Sequence, residues 1–387
     1  MQLPIRFLFV IFLLISQFVS AADPQKILIV VSSYGKDGGK TRPGQSRPDL
    51  SRPDLSRPGY EFDEFSQAYL IFKANGFVLE VASPRGGKVE CDEFNKNKPY
   101  NQRVLADQEA MSLLNQTRPT HSVNPADYAA LYIVGGKGAM FDLPFDPALQ
   151  DIISTMHDRA DGIVSAVCHG PAAFAHVKQA DGTYLIAGKA IAGFCNDEEK
   201  LFGKRWKTEF PFSLEDKLKQ RGGLYERAEL MLPHVSVAGR LITGQNPYST
   251  NGVAEAVVQA LGKPLAARVA YPDEKSMWLV KRAITGQFAW AADELRTHKA
   301  DYDIELIAVY GYYRLLGAKD DTLVIRPALQ VIDLASPYLF DPNLQVQRAV
   351  GHRKLGELPT ARALLAELLR RDPNHAEARR LLGEWGQ

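Results

Sequence analysis

Apolar residues along this chain come in short unbroken blocks separated by longer stretches of helical spacing. Lys26 to Ser33 (KILIVVSS), Phe77 to Ala82, Ala130 to Val134, Ile163 to Val167, Ala190 to Phe194 and Arg240 to Thr243 each predict a buried strand. Between most of them the spacing predicts helices, for instance over 63–75, 147–159 and 250–261. Strands without a polar face, alternating with helices, require a parallel sheet covered on both sides, so the fold class is a doubly wound α/β. Ligands in such a sheet bind beyond the carboxyl ends of the strands, and Cys168, Gly138 and Glu199 fall just past such ends. After Leu261-Gly-Lys-Pro264 the strand signals stop and only helices are predicted. The expected organisation is an α/β domain over 23–263 followed by a small all-α region over 264–387.

Composition adds limits. With 387 residues and 45% hydrophobic content there is apolar material for a large core and a smaller one. A net charge of +1 offers no basic surface for nucleic acid, which points to small molecules or proteins as partners. The N-terminus has one charge at Arg6, an apolar run from Phe7 to Phe18, and small residues at Val19 and Ala21. That is the pattern of a signal peptide over 1–22, cleaved near Ala21 or Ala22, and too short for a spanning helix. Export to a bacterial periplasm or secretion is therefore expected, with no stable membrane span after cleavage. No cysteine follows the run, which argues against a lipid anchor. Residues 41–60 hold a tandem Arg-Pro pentapeptide with four prolines and little apolar content, read as an extended loop that leads into the helix carrying Glu64.

The candidate chemistry is concentrated in Ser165-Ala-Val-Cys-His-Gly170. An apolar strand breaks there into Gly170-Pro171 and a predicted helix start, so Cys168 sits at a strand-to-helix elbow. Such an elbow holds a sulfur clear of the sheet, aims backbone N–H groups at a reacting oxygen and favours a thiolate. A core cysteine beside a chance histidine is the alternative, and the Gly-Pro context argues against it. The three cysteines, Cys91, Cys168 and Cys195, cannot make a disulfide framework and have no zinc spacing. Cys195 reads as a small buried side chain rather than a resolving thiol. His121 and His176 read as surface or helix histidines, and Phe141, Phe210 and Phe212 as core or pocket wall.

Several segments together resemble the ThiJ/PfpI superfamily, specifically its glyoxalase III and heat-shock chaperone branch, over residues 26–262. They are Gly59-Tyr-Glu-Phe-Asp-Glu64, Ala82-Ser-Pro-Arg-Gly-Gly87, Gly135-Gly-Lys-Gly-Ala-Met-Phe-Asp-Leu-Pro144, Ala166-Val-Cys-His-Gly-Pro171, Gly193-Phe194 with Glu199, and Leu241-Ile-Thr-Gly-Gln-Asn-Pro247. The resemblance implies a flavodoxin-like sheet and a site built from Cys168, His169, Glu199 and Glu64, with the backbone N–H groups of Gly138 and His169 as an oxyanion pair. Glu61 and Asp63 compete with Glu64, and Asp197 and Glu198 with Glu199. A Glu64 that shares a proton with a thiolate requires a raised carboxyl pKa. Lys137 stands where the family commonly has histidine. The superfamily is related to the glutaminase half of amidotransferases, which place the catalytic histidine far downstream of the cysteine, so the adjacent Cys168-His169 argues against that reaction.

The implied activity is conversion of methylglyoxal-type 2-oxoaldehydes to 2-hydroxy acids without glutathione, cofactor or metal. The competing expectations are a deglycase- or peptidase-type hydrolase, and a redox-sensing stress chaperone or scaffold. Residues 351–387, with apolar positions three and four apart and Asp372-Pro-Asn374 between two helices, resemble a tetratricopeptide repeat, and Asp341-Pro-Asn343 marks a weaker copy. Expected partners are a small aldehyde and a protein bound through 265–387, with a homodimer left open.

Overall fold

Isoleucine- and valine-rich blocks make the centre of the sheet because they lose least by being enclosed on both faces. The computed structural model describes residues 25–35, 58–203 and 205–386. The signal peptide, its cleavage site and most of the Arg-Pro repeat lie outside the described residues. The strands are β1 (Lys26–Val30), β2 (Val78–Ser83), β3 (Arg118–Pro119), β4 (Ala130–Ile133), β5 (Ile163–Val167), β6 (Ala190–Ile191), β7 (Leu224–Tyr225), β8 (Val235–Ala238) and β9 (Leu241–Gly244). The main sheet has the order β3-β2-β1-β4-β5-β9-β8 and is parallel throughout except for β8 against β9. Every position of β4 and β5 is buried, as strands covered on both sides must be.

The helices of the α/β part are α1 (Phe62–Ala74), α2 (Pro99–Ala106), α3 (Gln108–Asn115), α4 (Ala139–Asp142), α5 (Pro147–Asp158), α6 (Asn196–Phe202), α7 (Leu214–Gln220) and α8 (Thr250–Ala260). Those predicted from spacing, α1, α5 and α8, end within one residue of expectation. The predicted strand at 190–194 is corrected. Only Ala190 and Ile191 are extended, and they pair with β7 outside the main sheet. The chain leaves strand geometry there so that the Phe194 N–H can donate to the Cys168 carbonyl at 2.8 Å.

The helical part comprises α9 (Pro272–Arg282), α10 (Phe288–His298), α11 (Ile304–Gly317), α12 (Thr322–Ala335), α13 (Pro342–Lys354), α14 (Leu358–Arg371) and α15 (Ala376–Glu384). Asp303, Asp321 and Asp341 cap α11, α12 and α13, each accepting a first-turn N–H at 2.7–2.9 Å. Helices α13 to α15 enclose Val346, Ala349, Leu365, Leu368, Ala378 and Leu381, the last four of them among the three-and-four-spaced positions read from sequence. A larger apolar core in α9 to α12 is not confined to those helices. Met231 and Leu232, from the loop before β8, are buried in it beside Met277 and Ile307. Phe202 of α6 packs against its edge. No helix among the described residues is long and apolar enough to cross a membrane.

Candidate active site

The elbow after β5 is built as a strained turn held from both sides. Cys168 has φ +60°, a conformation an L side chain adopts at a cost of about 1–3 kcal/mol. Its N–H donates to Gly244 O at 2.9 Å and its carbonyl accepts from Phe194 N at 2.8 Å, so β9 and the segment after β6 clamp it. The helix expected to start at Gly170 is a 3-10 segment, Gly170–His176, whose dipole is correspondingly short. Burial, then the neighbouring Glu64, pushes the Cys168 thiol up.

His169 links the sulfur to an acid. Its Nδ1 lies 3.5 Å from Cys168 Sγ and its Nε2 2.8 Å from Glu199 Oε2. With Nε2–H donating to the carboxylate, Nδ1 presents its lone pair to the sulfur, the tautomer a base needs. The rings of Phe194 and Phe210 stand 4.5 and 5.7 Å from the imidazole, and Phe210 packs against the apolar core. Phe141 stands 5.4 Å from Phe210 and packs against the same core.

The competition around Glu199 is decided by geometry. Asp197 faces outward to Lys200 at 2.9 Å and Arg227 at 2.7 Å. Glu198 turns inward but away from His169, accepting from Cys195 N at 3.3 Å, Met231 N at 3.0 Å and Asn246 Nδ2 at 2.8 Å.

Glu64 is fully buried in the first turn of α1. Oε2 accepts the Gly135 N–H at 2.7 Å, while Oε1 has no hydrogen bond of standard geometry among the described residues, although the Cys168 thiol acts on the same carboxyl from close by. Burial, then Glu61, raises its pKa well above the ordinary carboxyl range, in the direction expected. Asp63 points elsewhere, bound by Lys98, Tyr100 and Asn101 at 2.7, 3.1 and 2.6 Å. Glu61, the N-cap residue of α1, is half-buried and pushed up to about 8, by burial and then by Asp63 and Asp92.

The glycine loop after β4 explains how Glu64 arrives there. Glu61 N donates to Gly135 O at 3.2 Å, and Asp92 receives both Gly59 N at 2.9 Å and Lys137 N at 3.2 Å. This stitching needs close backbone approach: Gly136 has φ +90°, and a Cβ on it would lie 2.4 Å from Glu61 N. A Cβ on Gly135 would sit 2.8 Å from both Glu64 Oε2 and His169 N. The same stitching overturns one expectation. The Gly138 N–H donates to Gly59 O at 2.8 Å and is not available as an oxyanion donor. The His169 N–H, the other expected donor, has no hydrogen-bond partner among the described residues.

Cys195 is wholly buried, with its thiol pushed up to about 12 by burial and then Glu198, consistent with a packing role. Sequence reading missed Gly135 as the donor to Glu64, and missed Tyr132, a fully buried phenol whose acidity is suppressed by burial and then by Glu64. Nothing in an apolar strand signals that one of its members will back a distant acid. Among the described residues, no group of three or more His, Cys, Asp and Glu side chains is arranged to hold a metal ion.

A mostly parallel sheet with a strained cysteine at the carboxyl end of β5, and a histidine and two carboxyl groups around it, defines a flavodoxin-like α/β protein whose candidate chemistry is gathered at one elbow. The chain belongs to the DJ-1/PfpI family, whose profile matches residues 55–260. A glutathione-independent glyoxalase of Schizosaccharomyces pombe is 30% identical over 224 residues, which cover 52% of this chain and 89% of the relative. One from Saccharomyces cerevisiae is 29% identical over 261 residues, covering 62% and 98%. The crystal structure of glyoxalase III from Candida albicans superposes with a TM-score of 0.52 at 26% identity, covering 61% of this chain and 97% of that one. Since these relatives are nearly used up by about three-fifths of this chain or less, the remainder has no counterpart in them. A tetratricopeptide repeat profile matches residues 342–385.

Proposed function

We propose that this protein is a glutathione-independent glyoxalase that converts methylglyoxal-type 2-oxoaldehydes to 2-hydroxy acids. The observation that carries the reading is the Cys168–His169–Glu199 relay, with the buried Glu64 carboxyl beside it, in a chain similar to proteins named for that activity. The Cys168 thiol passes its proton to His169 Nδ1 and the sulfur adds to the aldehyde carbon. The new alkoxide, beside the His169 backbone N–H, takes that proton back from the imidazolium to become a hemithioacetal, which leaves the imidazole free to act as a base again. His169, held by Glu199, then removes the hydrogen on that carbon and returns a proton to the neighbouring carbonyl carbon through an enediol. Glu64, kept protonated by its burial, supplies and recovers the proton needed at oxygen. One carbon is oxidised and its neighbour reduced, so no external oxidant or reductant enters. Water hydrolyses the resulting thioester, releasing the 2-hydroxy acid and the thiol.

The test is D-lactate formation from methylglyoxal under reducing conditions without glutathione. Wild-type protein is expected to turn over and Cys168→Ala to fall to background; a Cys168→Ala protein with wild-type turnover would overturn the mechanism. The repeat match at 342–385 favours, in addition, a protein partner for the helical part. The signal-peptide pattern of residues 1–22 supports action outside the cytoplasm.

A further inference from the structure

Helix α6 has only seven residues, and both its ends are tied to the core of the helical part. At its start, Glu198 is fixed by the Met231 N–H at 3.0 Å, and the Met231 side chain is buried among Met277, Ile307 and their neighbours. Met231 holds φ +61°, so its position is imposed by what surrounds it. At its end, Phe202 meets the Tyr313 ring of α11 edge to face at 4.7 Å. Between these two ties, on the same short helix, Glu199 reaches His169 Nε2 at 2.8 Å. An unbroken series of contacts thus runs from the helical part through α6 to the imidazole that faces Cys168.

We infer that the helical extension is a working part of the catalytic site, and that Tyr313 is a positioning residue that sets Glu199 against His169 through Phe202. A helix of two turns has no bulk of its own to resist rotation, so its orientation follows its anchors. A shift at Phe202, three residues on from Glu199, moves the carboxylate relative to the imidazole. Glu199 orients the tautomer and stabilises the imidazolium that accompanies a thiolate, so its displacement lowers both proton transfer and sulfur reactivity. The assignment rests on the relay proposed above, but its test need not use the same reaction.

The experiment measures the rate of Cys168 alkylation by iodoacetamide, located by mass spectrometry, beside kcat and KM for methylglyoxal. The proteins are full-length wild type, Tyr313→Ala and Tyr313→Phe, each with Glu199 intact and as Glu199→Gln. Tyr313→Ala is expected to slow alkylation and lower kcat by about three- to tenfold with KM within about twofold. Tyr313→Phe, which keeps the ring, restores both. In the Glu199→Gln background Tyr313→Ala changes neither further, because the group it positions is gone. Wild-type alkylation in Tyr313→Ala would overturn the inference, as would the same loss in both backgrounds, which is what general loosening produces. If Tyr313→Ala does not fold, Phe202→Leu carries the same comparison from the other side of the contact. If wild type fails to turn over methylglyoxal but the alkylation pattern holds, the substrate reading fails and the positioning role stands.

Discussion

Glu61 and Glu64, one turn apart at the start of α1, hold protons that an exposed carboxyl would have lost. For Glu61 the direction of the effect on stability can be worked out. Its pKa is pushed from 4.5 to about 8, so the folded state binds a proton the unfolded chain releases. The stabilisation is full below about pH 4.5, declines as pH rises toward about 8, and is absent above. Glu61→Gln is expected to flatten that decline, read as urea midpoints across the interval. Glu64→Gln keeps the buried shape but cannot exchange a proton, and turnover is expected to fall roughly a hundredfold or more with the fold intact by circular dichroism. Gly135→Ala would put a methyl group 2.8 Å from Glu64 Oε2 and His169 N, and both stability and turnover are expected to drop in thermal and kinetic assays. The cysteine and its histidine are legible in the sequence because they are adjacent and sit where an apolar block meets Gly-Pro. Gly138 is not legible in the same way. Whether its N–H is free depends on Gly59, far away in sequence, which takes it.

At the scale of elements, unbroken apolar blocks gave reliable strands and amphipathic spacing gave α1, α5 and α8. What escaped were pieces too short to show a period: β3 with two residues, and α6, whose charged first turn hides a helix of seven residues. Residues 190–194 misled because only Ala190 and Ile191 are extended, in a separate two-stranded sheet, while the Phe194 N–H serves Cys168 instead. The two Asp-Pro-Asn tripeptides also differ in what they do. Asp341 caps α13 directly, with Pro342 at the first helical position, whereas Asp372 closes α14 and His375 caps α15. Asp341→Ala is therefore expected to cost about 1 kcal/mol and Asp372→Ala less than half of that, compared by thermal denaturation.

On the scale of the whole molecule, the α/β part is the portion shared with its relatives, yet here its own residues complete the core of the helical part. A chain ended at residue 263 would expose Met231 and Leu232, now 4% and 3% accessible. At about 1.5–3 kcal/mol for each side chain, that is a large share of the roughly 5–15 kcal/mol that holds a domain folded. The shortened protein is expected to melt on the order of 10 °C lower or to aggregate, with light scattering as the check. An unchanged melting temperature would mean that the loop carrying Met231 finds other cover.

The shared core also sets a schedule for biosynthesis. Met231 leaves the ribosome long before Leu344, the most distant member of the cluster it joins. At about 5–20 residues per second the interval is on the order of ten seconds. For most of it the nascent chain has made Cys168, His169 and Glu199 but not Tyr313, so the contact of Phe202 with α11 that anchors α6 forms only after the residues it serves have waited.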